Sequence, residues 1–83
     1  AVGDQEAEVI EAQALATSPI AGKPLRSAGF PETALVGAVL GADGLKMPRG
    51  DLVIEEGDRV VVFARRDTVR EVEQLFRVSV DFF

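Results

Sequence analysis

The chain has 83 residues, 14 acidic against 9 basic, for a net charge of −5, and it contains no Cys, His, Tyr or Trp. That length fits a single domain. The missing residue types exclude disulfides, cysteine or histidine metal sites and histidine-based catalysis, and they leave little to stack a nucleobase on.

Residues 1–7 are acidic and polar and read as a flexible N-terminal extension. The chain opens on Ala1 with no signal-peptide core, so it is expected to be a piece of a longer protein. A first strand is predicted from about Glu8 to Leu15, where Ile10, Ala12 and Ala14 alternate with Glu11 and Gln13. Thr17-Ser18-Pro19 ends it. Pro24 suits the first position of a short helix and Gly29 its stop, with Leu25 and Ala28 facing inward.

After the connector Phe30–Thr33 comes Ala34–Gly41, ALVGAVLG, an apolar run without polar alternation. Such a run reads as a strand covered on both faces. Gly37 and Ala38 leave room there for another backbone. Two short helices cannot cover both faces of a small sheet, so the second cover is expected from outside the chain.

Asp43-Gly44 predicts a hairpin turn and Leu45–Met47 a short returning strand. Pro48-Arg49-Gly50-Asp51 turns the chain again, Leu52–Ile54 is briefly extended, and Glu55-Glu56-Gly57-Asp58 makes a further turn. Gly44, Pro48, Gly50, Asp51, Gly57 and Asp58 are therefore structural turn residues. Arg59–Ala64 is a second central-looking strand. Asp67 is placed to cap the last helix, Val69, Val72, Leu75 and Phe76 form its apolar stripe, and Glu73 and Arg77 make an i,i+4 pair. Residues 78–83, VSVDFF, form an apolar C-terminal tail that must dock on this domain or on a neighbour. The domain proper spans residues 8–77. Its fold class is α+β: a small, mixed or mostly antiparallel sheet with two helices in β-α-β-β-β-α order.

Candidate chemistry is sparse. Asp51, Glu55, Glu56 and Asp58 do not follow an EF-hand spacing and read as turn and solvated residues. Arg49-Gly50-Asp51 is turn chemistry in a bend. The glycines match no phosphate-loop spacing. No Ser or Thr has a His or Cys companion for nucleophilic catalysis. Arg65-Arg66 is the only adjacent basic pair, so no nucleic-acid partner is expected. No apolar run approaches ~18 residues, so no span of a membrane is predicted. No enzyme activity and no metal are expected.

The order of motifs resembles the C-terminal domain of the TrkA/RCK family, regulators of potassium conductance. The resemblance runs over Glu8–Phe76: Ser18-Pro19-Ile20-Ala21-Gly22-Lys23-Pro24-Leu25, the apolar strand Ala34–Leu40, Asp43-Gly44, then Pro48-Arg49-Gly50-Asp51 through Glu56-Gly57-Asp58, the Val-rich strand to Phe63, and a helix ending Leu75-Phe76. The ending FRVSVDFF is similar to that of bacterial members.

The resemblance implies a TrkA-C-like fold and a cytoplasmic regulatory role in potassium or other monovalent cation transport, peripheral to the inner membrane through a parent complex. It implies a homodimer, an upstream nucleotide-binding domain in the parent chain, and a membrane transporter or channel subunit as partner. Candidate dimer-interface residues are Phe30, Leu35, Val36 and Val39. The alternative is a small-ligand, nucleotide-type sensor attached to a different ion or anion transporter, with Lys23, Arg26, Arg65 and Arg66 as candidate ligand-binding residues. Some members bind a cyclic dinucleotide, but Phe30–Leu40 holds no Arg, Lys, His or Asn, which argues against that here. The glycine motif for NAD or ATP is absent, so no cofactor is assigned to this chain.

Overall fold

The computed structural model describes residues 7–83, and the extension expected over residues 1–7 lies, but for Ala7, outside the described residues. Five strands form one sheet: β1 (Ala7–Gln13), β2 (Ala34–Gly41), β3 (Gly44–Lys46), β4 (Arg59–Arg65) and β5 (Asp81–Phe82). Their order across the sheet is β3-β2-β4-β1-β5, and every neighbouring pair is antiparallel. One α-helix, α1 (Val69–Phe76), packs on it. The α+β architecture is the expected one, with one helix fewer.

The missing helix is a 3-10 turn, Leu25–Ser27. Pro24 stands just before it in extended conformation, and Gly29 turns away at φ +91°. Too few residues lie between them to build a run of i→i+4 bonds, so the segment closes on i→i+3 bonds instead. Its flanks are held by the brief extended piece Leu52–Ile54. Gly22 N–H donates to the Ile54 carbonyl (2.7 Å), Leu25 N–H to Leu52 (2.9 Å) and Arg26 N–H to Gly50 (2.9 Å). The Pro48–Ile54 bend therefore clamps the crossover segment rather than adding a full strand to the sheet.

The hairpin between β2 and β3 has Ala42-Asp43 as its loop, with Gly44 opposite Gly41 at φ +116°. Positive φ is needed at one residue only, and glycine takes it without a steric cost.

The core lies on one side of the sheet. Ile10, Ala12, Val39, Val60, Val62 and Ala64 project from the strands against Val69, Val72 and Phe76 of α1 and against Ile20, Ala28 and Ile54 of the loops. The helix stripe is as predicted, with Leu75 half-buried. Both ends of α1 differ. A 3-10 turn, Arg66–Thr68, leads in, and no side chain caps the helix; the Asp67 carboxylate instead pairs with Arg65 at 2.9 Å. At the other end Arg77 takes the left-handed conformation (φ 61°), which swings it out of the helical path. Glu73 accordingly makes no ion pair with it and accepts the Val80 N–H at 3.1 Å. The buried Ser18 hydroxyl donates to the Phe76 carbonyl and accepts Leu15 N–H (2.8 Å), while Ile20 N–H reaches the Leu75 carbonyl (3.1 Å). These bonds satisfy helix-end carbonyls that would otherwise be orphaned in the core.

The tail docks on this domain: β5 pairs with β1 through Ile10↔Phe82 and Glu11↔Asp81, while both terminal phenylalanine side chains remain largely in water.

Candidate functional site

Among the described residues, no layer covers the other side of the sheet. Antiparallel register sets which side chains stand on it. Leu35 of β2 lies opposite Phe63 of β4, which lies opposite Val9 of β1, so the three form a row across the sheet. Below it, Ala38, Val61 and Glu11 form a second row, and Leu45, Leu40, Arg59 and Gln13 a third. Leu35 is 69% exposed, Leu45 65% and Phe63 43%. A contiguous apolar surface of this kind marks a contact site.

A bulge shapes the patch. The register of β2 shifts between Val36 and Ala38, giving two residues against one on β4. Val39 then turns inward to 0% exposure and Leu40 outward. Gly37 does not admit another backbone, as its small size suggested. The Phe63 ring lies over it, and a methyl group at this position would run into the ring.

Charge on the face is balanced. Arg59 bonds Glu11 and lies 3.5 Å from Asp81, and alternation along β4 places Arg65 on the same side. Arg59 thus meets both carboxylates, while Arg65 pairs with Asp67 at 2.9 Å, so each of these cations has its partner within the chain. Pairing with Glu11 foremost raises the Arg59 guanidinium further above its ordinary range, so it stays charged throughout.

A second polar cluster closes one end of the fold. Asp58, only 3% exposed, accepts Glu55 N–H (3.0 Å) and the Lys46 ammonium (3.0 Å), and Lys46 also reaches Glu55 (3.2 Å). Gly41 leaves the space through which the Lys46 stem passes. The hydrogen bond that Lys46 donates to Asp58 is the main cause that lifts the ammonium above its ordinary 10.5. A raised lysine contributes stability that is complete below the unfolded value and is lost as pH rises through the folded one. The unfolding temperature is therefore expected to fall as pH rises beyond about 10.5, and Lys46→Met to flatten that fall. Thermal melts across the alkaline range check this, with no His, Cys or Tyr titration to obscure it. A pH response identical in the two proteins would contradict it.

The match to known proteins decides the family: the model of the TrkA-C domain covers residues 9–77. The chain belongs to the TrkA-C domain family. It is 48% identical over 80 residues to a Trk system potassium uptake protein TrkA of Azorhizobium caulinodans, an overlap of 96% of this chain and 18% of that protein. It is 47% identical over 73 residues to a Trk system potassium uptake protein TrkA homolog 2 of Methanosarcina mazei, covering 88% and 16%. A TrkA of Halomonas elongata is 33% identical over 81 residues, covering 93% and 18%. The chain thus spans less than a fifth of the length of these relatives.

Within this TrkA-C domain the residues singled out from sequence are dispersed. Leu35 stands on the open face. Val39 is in the core and offers no surface, Val36 packs against the core, and Phe30 meets the Phe76 ring edge-on at 6.4 Å. Lys23 and Arg26 are exposed on the crossover segment, Arg65 pairs with Asp67, and Arg66 pairs with Glu8 at 3.2 Å. The clefts flanking α1 contain neither Lys23 nor Arg26, so the four cations do not line one cleft there. Of the turn residues, Gly44 and Gly57 take positive φ, the Gly50 carbonyl holds Arg26, and Asp58 anchors Lys46; Asp51 is exposed in the bend after Pro48. Leu40 lies in the apolar strand expected to be covered from outside, whereas the sequence alone does not place Phe63 and Leu45 on this face. Their signal was the apolar residue at alternate positions of two strands, but reading it needs the register.

Proposed function

We propose that this chain is a regulatory and dimerisation module of a potassium uptake system, located in the cytoplasm beside the membrane transporter it serves and without catalysis of its own. The observation that carries this reading is the open apolar face around Leu35 and Phe63 in a TrkA-C domain. The relatives' names supply the system: they are Trk potassium uptake proteins. The described residues contain no helix long and apolar enough to cross a membrane.

A second copy is the occupant the face suits. Both cations on it are already paired within the chain, Arg59 with Glu11 and Asp81 and Arg65 with Asp67, so two copies meet there without an unpaired cation. Burying the row Leu35–Phe63–Val9 against its counterpart removes apolar area from water on both copies. A dimer of this kind links two parent chains, and an upstream nucleotide-binding domain in each then changes its spacing or orientation as one assembly. A ligand that favours one arrangement shifts the whole population towards it.

The test uses the full-length parent. Leu45→Asp, at an exposed position of β3, is expected to leave the protein folded and expressed while the regulation of potassium uptake by effector is lost. Tracer uptake in cells lacking the native copy reads this directly. Uptake regulated as in wild type would overturn the proposal.

A further inference from the structure

We propose that the last strand, β5, is a working part of the docking face, and that its seating on β1 sets how tightly two copies hold each other. This rests on the dimer reading given above.

The register carries the argument. Ile10↔Phe82 and Glu11↔Asp81 put Asp81 on the open side of the sheet and Phe82 on the helix side, where it joins Val69 and Arg70 in lining a cleft. The next pair follows from the Phe83 N–H, which donates to the Val9 carbonyl at 2.9 Å. Phe83 therefore extends the row Leu35–Phe63–Val9 to a fourth strand, at 74% exposure. An aromatic side chain left this open at the end of an apolar row has its area still to bury. Asp81 extends the second row and shares the Arg59 guanidinium with Glu11. Seating β5 thus supplies both an apolar residue and a charge to the face.

The hold on β5 is slight. Two ladder pairs, one further backbone bond, the long Asp81–Arg59 pair and the Val80 N–H bond to Glu73 fix it, and beyond Val80 nothing is buried. A partner that covers Phe83 strengthens the seat, and by reciprocity a seated strand strengthens the partner's binding.

Dissociation constants of the 83-residue chain, measured by sedimentation equilibrium for wild type, Phe83→Ser and Phe82→Ser, test this. Both side chains are mostly exposed, so both variants keep the core intact. Phe83→Ser is expected to weaken the dimer by about tenfold or more, and Phe82→Ser by less than about threefold. Amide exchange at Phe83 is expected to slow as protein concentration rises. A dimeric wild type with equal effects from the two substitutions, or with Phe83 exchange independent of concentration, would overturn this inference and leave the dimer reading standing. A wild type monomeric throughout would remove the dimer reading first and this one with it.

Discussion

Phe76→Ala is expected to lower the stability of the domain by about 3–5 kcal/mol. Phe76 is fully buried at the end of α1, where its ring meets Phe30 edge-on and its carbonyl receives the Ser18 hydroxyl. Removing a buried aromatic ring costs about 3–5 kcal/mol, including the cavity it leaves. A domain of 83 residues has about 4–12 kcal/mol in total. About half of the stability at mid-range, and nearly all of it at the low end, therefore disappears with one ring. Phe76→Leu keeps most of the volume and is expected to cost less than about half as much. Urea titrations at fixed protein concentration separate the two. A melting temperature within a few degrees of wild type for Phe76→Ala would mean that the helix is not what closes the core.

Leu35→Asp is expected to act in the opposite way, sparing the fold and abolishing the dimer. Leu35 is mostly exposed in the single chain, so a carboxylate there stays hydrated. In a face-to-face pair it is buried beside Phe63 and its counterpart without a cation in the row. Uncompensated burial of a charge costs several kcal/mol, so dissociation is expected to become at least about a hundredfold easier. Far-ultraviolet circular dichroism should be unchanged while the mass in solution halves. A variant that stays dimeric would place the interface elsewhere.

The contrast between these two positions shows what could be read from the sequence and what could not. Strands β2 and β4 are legible because apolar and β-branched residues run unbroken through Ala34–Gly41 and Val60–Ala64, with the turn glycines Gly44 and Gly57 close by. The stripe of α1 was legible from its 3.6-residue spacing. The first helix was misjudged because Pro24 and Gly29 are good helix boundaries but stand too close together. The ends of α1 were misjudged because Asp67 had a nearer cation in Arg65, and Arg77 left the helix before Glu73 could use it. The open face was half legible: ALVGAVLG signalled an outside cover, and Leu35 is on it. Simple alternation from Leu35 puts Val39 on the same side. The bulge at Gly37 reverses that parity, and only pairing with β4 reveals it. Phe63 was hidden for the same reason, since its partner row is a property of three strands together.

The most direct measurement is molar mass by light scattering on the wild-type chain through a dilution series. A mass that stays at twice the 8.9 kDa of one chain, falling to one chain only at high dilution, is the expected result. Together with loss of the dimer in Leu35→Asp, it would show that a second copy covers the face opened by Leu35, Phe63 and Leu45. A mass of one chain at every concentration would contradict the central claim and would require that face to be covered by another part of the parent protein.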